Sequence, residues 1–146
     1  MTRTIDTTTV IDAPPGQVWE VIADFARYPE WNPFVREISG PLVPGERLTV
    51  RIASPGGKSM TFQPRLLTAE PGRALRWKGT LALPRLFDGV HEFLIGPEGA
   101  GTRLVHRETF SGLLVPFGGG TIRGARAGFE QLNTALKRRV EERSSR

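Results

Sequence analysis

The chain has 146 residues, 38% hydrophobic and 24% charged, an ordinary balance for one globular domain with a real core. It holds no cysteine, which excludes disulfides, iron–sulfur clusters and thiolate metal sites. The formal net charge is +5, but apart from Lys137-Arg138-Arg139 and Arg143 near the end the basic residues are scattered. That pattern reads as a solvated helix face, and no zinc-finger, P-loop or aromatic RNA-binding motif supports a nucleic-acid partner.

Residues 3–12 alternate, with Ile5, Thr7, Thr9 and Ile11 on one face, and predict a strand. Ala13-Pro14-Pro15 stops it, and proline suits the first turn of a helix. Val18, Trp19, Ile22 and Phe25 then recur at helical spacing, with Trp19 assigned to the core. Asp24 is placed to cap a second short helix, which Tyr28-Pro29 ends.

Strands follow at Phe34–Ser39, Arg47–Ala53, Ser59–Glu70, Arg73–Leu83, Arg85–Ile95 and Thr102–Phe110. Turn signals separate them, including Pro55-Gly56-Gly57, Pro71-Gly72 and a six-residue turn over 96–101. Gly118-Gly119-Gly120 reads as a hinge. From Thr121 onward Ile122, Ala125, Phe129, Leu132, Leu136 and Val140 define one helical stripe. A helix over about 120–142 is a rod of roughly 35 Å.

The predicted architecture is therefore α+β, a single domain over 1–146. A curved seven-stranded antiparallel sheet wraps around the long C-terminal helix, with two short helices after the first strand. A sheet that curls around a rod leaves space between them, and this predicts a cavity for a small hydrophobic molecule.

Several segments are similar to one family. Ile11-Asp12-Ala13-Pro14-Pro15, Val18-Trp19, Asp24-Phe25 and Tyr28-Pro29-Glu30-Trp31-Asn32-Pro33-Phe34 resemble the opening of the SRPBCC (START-like) superfamily. Asp88-Gly89-Val90-His91-Glu92-Phe93, Gly101-Thr102-Arg103, Glu108-Thr109-Phe110-Ser111-Gly112-Leu113 and Gly128-Phe129-Glu130-Gln131-Leu132-Asn133 agree. The nearest group by resemblance is the polyketide cyclase/dehydrase and lipid-transport type. Its members bind lipids, quinones, hormones or aromatic polyketides, and some are cyclases. The resemblance implies the helix-grip fold and favours Phe62, Trp77, Phe93, Phe110 and Phe129 as pocket-lining aromatics.

Strand parity supplies the candidate chemistry. Phe93 and Ile95 pointing inward bring His91 with them, and Leu104, His106, Glu108 and Phe110 share the facing surface. A hairpin centred on 97–101 sets His91 opposite His106, with Glu108 on the same face. This set suits general acid–base chemistry on a bound ketone; the same groups also suit a hydrogen-bonded polar patch. Neither a metal nor a cofactor is expected. Arg126, on the flank of the helix stripe, either reaches the cavity mouth or turns outward to Glu130. Leu113-Leu114-Val115-Pro116-Phe117 reads as a lid on the glycine hinge, as a buried connection, or with the basic helix end as a membrane-surface contact.

The first expectation is a carrier or sensor for a hydrophobic small molecule, and the second a cyclase, aromatase or dehydratase. No apolar run approaches the roughly 18 residues of a membrane span. The segment through Pro15 lacks the apolar stretch of a signal peptide. A cytoplasmic location without stable membrane insertion is expected, and the oligomeric state is left open.

Overall fold

The computed structural model describes residues 2–53, 59–81 and 85–145. In chain order these form β1 (Thr2–Ile11), α1 (Pro15–Ala23), a 3-10 turn at Phe25–Arg27, and α2 (Tyr28–Trp31). Then come β2 (Val35–Ser39), β3 (Thr49–Ala53), β4 (Ser59–Phe62), β5 (Arg65–Glu70) and β6 (Ala74–Leu81). The chain finishes with β7 (Phe87–Glu98), β8 (Gly101–Ser111), a 3-10 turn at Val115–Phe117, and α3 (Gly119–Ser144). All strand pairings are antiparallel, in a five-stranded sheet ordered β1-β8-β7-β6-β5 and a three-stranded sheet ordered β2-β3-β4.

Among the described residues, eight strands in two sheets replace the expected seven in one. The stretch Ser59–Glu70 is broken at Gln63-Pro64, because proline has no N–H to give a ladder. Its carbonyl instead accepts from Leu48 N at 2.8 Å, and Leu66 exchanges backbone hydrogen bonds with Gly45 and Glu46. The two sheets are thus stitched along 45–48 and 64–66. The expected turn at 55–57 and the strand end at Leu83 lie outside the described residues.

The short helices depart from expectation at both ends. Asp24 makes no side-chain cap; its carboxylate pairs with Arg27 at 3.3 Å. Tyr28-Pro29 begins α2 rather than ending a turn, with Pro29 in the first helical turn, where a missing N–H costs nothing. Tyr28 is fully buried and donates its hydroxyl to Ile22 O at 2.6 Å, and burial raises its pKa. Trp19 is partly buried against the core.

The stripe on α3 is buried at Ala125, Phe129, Leu132, Leu136 and Val140, with Ile122 half-buried. Gly128 joins it for a steric reason: a Cβ there would collide with the Phe34 ring, which lies close against the helix. Gly119 and Gly120 form the first turn of α3, with Gly118 at its N-cap.

The Gly128 contact can be tested against helix propensity. In an open helix position Gly→Ala gains roughly 1 kcal/mol. Gly128→Ala is expected to destabilise instead, by about 1–3 kcal/mol from overpacking against Phe34. Urea unfolding measures it; a more stable variant would contradict the close approach.

Candidate functional site

A cavity of about 650 Å³ lies between the concave faces of the two sheets and the first turns of α3. This is within the range of small-molecule sites. Its walls are mostly apolar: Val50 and Ile52 of β3, Met60 and Phe62 of β4, Trp77 of β6, Phe87 of β7 and Phe110 of β8. Four glycines make the space. Gly79 pairs with Gly89 across β6 and β7, leaving a strip of bare backbone, while Gly120 and Gly124 thin the helix wall.

The polar end of the cavity is His91 with Glu108. The β7–β8 hairpin closes on the two residues Gly99-Ala100, with Gly99 at φ +59°, where a left-handed turn favours glycine. This tighter turn moves the register by two residues. His91 stands opposite Glu108, and Phe93 stands opposite His106. The expected pairing of His91 with His106 is therefore corrected, but an even shift keeps every side chain on its face. The two imidazoles still meet diagonally, Nε2 to Nε2, at 2.8 Å.

These contacts belong to a longer chain of hydrogen bonds. Glu108 Oε1 lies 3.1 Å from His91 Nδ1. His106 Nδ1 lies 2.8 Å from Asn133 Oδ1 on α3, and Asn133 Nδ2 donates to Thr7 Oγ1 of β1 at 2.9 Å. The Thr7 hydroxyl gives its one proton to His106 O at 2.7 Å. His106 is fully buried between Phe93 and Phe129, with ring centroids 4.5 and 3.9 Å away. Trp77 stacks on His91 at 4.5 Å.

The proton positions follow from this geometry. Thr7 spends its hydrogen on a carbonyl, so it must accept from Asn133, which turns the amide oxygen to His106. His106 Nδ1 therefore carries hydrogen. Burial, and then the neighbouring His91, hold the His106 pKa well below 6.5, so the ring is neutral and its Nε2 accepts. His91 Nε2 must donate to it. His91 Nδ1 is left facing Glu108 Oε1 across the 3.1 Å contact.

The named candidates thus divide. Phe62, Trp77, Phe110, His91 and Glu108 line the cavity. Phe93, Phe129 and His106 are buried behind it, as the packing that holds His91. Arg126 is exposed and does not line the cavity. Asn133 and Thr7 were not foreseen; the available signals were an amide inside an apolar helix stripe and a threonine on the inward face of β1. In the segment 113–117 Val115 is buried, while Leu113, Leu114 and Phe117 face solvent, and none of the five lines the cavity. No cluster of metal-ligating residues occurs among the described residues.

Residues 2–141 match the family described as polyketide cyclase / dehydrase and lipid transport. No curated protein matches the chain. Among solved structures, it is similar to a START superfamily protein from Mycobacterium smegmatis. That match has 22% identity and TM-score 0.74, covering 95% of this chain and 97% of that one. It is also similar to the aromatase/cyclase Zhui from Streptomyces sp. R1128, with 19% identity and TM-score 0.72, covering 100% and 95%. Protein MLL2253 from Mesorhizobium loti has 25% identity and TM-score 0.65, covering 93% and 98%. The chain belongs to the polyketide cyclase/dehydrase and lipid-transport family.

Neutral His106 makes stability pH-dependent. Between its native pKa and 6.5 the unfolded chain binds a proton that the folded one does not. Stability is then intact above about pH 6.5 and falls on acidification, by up to about 1.4 kcal/mol per pH unit from this group. His106→Phe, which keeps the ring stack, should lose this slope in urea titrations between pH 7.5 and 5.5. Equal slopes in both proteins would show that His106 is not the group held neutral.

Proposed function

We propose that residues 1–146 act as one binding unit for an uncharged, largely apolar molecule, lipid-like or polyketide-like, whose hydroxyl or enol oxygen rests against Glu108 and His91. The observation that carries this is the composition of the cavity wall. Among the described lining residues there is one carboxyl group, one imidazole and neither lysine nor arginine. Glu108 Oε2 lies over Gly89, where any Cβ would collide with it, so the glycine leaves room for the carboxyl group on the cavity floor. An acceptor there favours a ligand that brings a donor. A carboxylate ligand meets neither lysine nor arginine among these residues and would be buried beside Glu108, which costs several kcal/mol. Family membership supports a hydrophobic ligand of this kind.

Two naphthalene probes of equal size test the reading. At pH 8, 1-naphthol should bind at least about tenfold more tightly than 1-naphthoate, and Glu108→Gln should narrow the gap. Equal affinities, or a preference for naphthoate, would remove it.

A second reading, cyclase or dehydratase-type turnover, draws on one observation: His91 Nδ1 and Glu108 Oε1 lie within hydrogen-bond reach at 3.1 Å, with the rest of the chain holding both groups in place. Such a pair can take a proton from carbon beside a carbonyl and return it to oxygen. His106 then acts through His91, as a positioning residue. Benzoylacetone in deuterium oxide should exchange its central protons faster with the protein, and Glu108→Gln should abolish the acceleration. Binding without acceleration would leave the carrier reading alone.

A further inference from the structure

Three large apolar side chains stand out at one tip of the molecule. Leu113 is 75% exposed, Phe117 85%, and Leu114, between them in sequence, 43%. The tip is not a loose loop. Leu113 N and Leu114 N donate to Arg85 O and Leu86 O at 3.1 and 2.9 Å, and Val115 is fully buried beneath them. Gly112 sits at φ +121°, where a Cβ would strike Leu86 O, and Gly118 lies against the Phe87 ring. The fold therefore holds three apolar groups in water on a braced platform, at a cost that burial elsewhere would recover.

The exposed charge around the tip has one sign; the one carboxylate nearby, Asp88, is buried and accepts from Arg85 N at 3.2 Å. Arg85, Arg3 and Arg123 are exposed beside it; the last two guanidinium groups lie within 3.9 Å of the Cβ position at Gly119. None of the three forms an ion pair among the described residues, and the first turn of α3 has no acidic residue. The dense basic stretch from Lys137 to Arg143 is at the far end of α3, roughly 30 Å away at 1.5 Å per residue, and takes no part.

The geometry points to peripheral docking of this tip on an anionic phospholipid surface, with Leu113, Leu114 and Phe117 in the headgroup–acyl boundary and the arginines among the headgroups. Apolar wedges with a basic rim fit that medium, where each arginine near the surface adds to binding. A protein partner fits less well: a standard interface takes roughly 800 Å² from each side, far more than three side chains supply. The tip adjoins the cavity, since Phe87, Gly120 and Thr121 line it. Docking would turn that rim toward the bilayer, whether or not the ligand is turned over.

Vesicle sedimentation at 0.15 M salt tests this. Vesicles of phosphatidylcholine with 30% phosphatidylserine should bind the protein at least about tenfold more tightly than phosphatidylcholine alone. Leu113→Glu/Phe117→Glu should lose at least about tenfold on the anionic vesicles, and Arg3→Glu/Arg123→Glu should erase the difference between lipids. All these side chains are exposed and outside the cavity, so naphthol binding and the unfolding midpoint should be unchanged in every variant. Failure of the native protein to bind anionic vesicles, or undiminished binding by the Leu113/Phe117 variant, would overturn the proposal. So would self-association through the tip, seen in light scattering as a dimer that the same variant dissolves. Loss of naphthol binding with vesicle binding intact would count against the cavity reading only.

Discussion

The seating of α3 on the five-stranded sheet is the contact on which the rest depends. Its C-terminal half carries Phe129, Leu132, Leu136 and Val140, each essentially without solvent exposure. Large side chains there close the gap to β1, β7 and β8. Its N-terminal half carries Gly120, Thr121, Gly124 and Ala125, which are too small to close the gap. One helix thereby has two functions set by side-chain volume alone: a clamp at one end and a cavity roof at the other. The paired glycines Gly79 and Gly89 do the same on the sheet.

The polar chain stands at the junction of those two halves. Phe129 is both the first large residue of the clamp and one face of the His106 sandwich. Asn133, one turn further, ties the same ring to β1 through Thr7. A buried neutral histidine with both nitrogens engaged is a fixed element rather than a titrating one. It transmits that order to His91, which alone of the two imidazoles meets the cavity. Trp77 completes the arrangement by stacking on His91.

Much of this was legible in the sequence because it rests on periodicity. The α3 stripe, the inward face of β1 and the shared face of His91, His106 and Glu108 follow from steps of two, three and four residues. What depended on chain geometry was not legible. The loop length at Gly99-Ala100 moved the register by two, and parity survived only because the shift was even. Pro64 divided one strand into two, which no alternation signals. Arg126 was ambiguous at the flank of the stripe, and its position is decided by helix rotation. Asn133 and Thr7 were hidden because each looks like an ordinary polar residue until the helix is laid on the strand.

The uneven seating of α3 has a consequence for motion. A helix clamped over residues 129–140 and bridging a void over 119–125 is not uniformly stable along its length. Opening its first two turns breaks few side-chain contacts, whereas lifting the remainder means pulling Phe129 from the His106 stack. Backbone amides should then exchange with solvent in two cooperative blocks, fast near Thr121 and close to the global limit near Leu132. The roof of the cavity belongs to the fast block. A molecule filling the cavity would slow that block selectively, so amide exchange at the start of α3 is a reporter of occupancy that requires no label and no knowledge of the ligand.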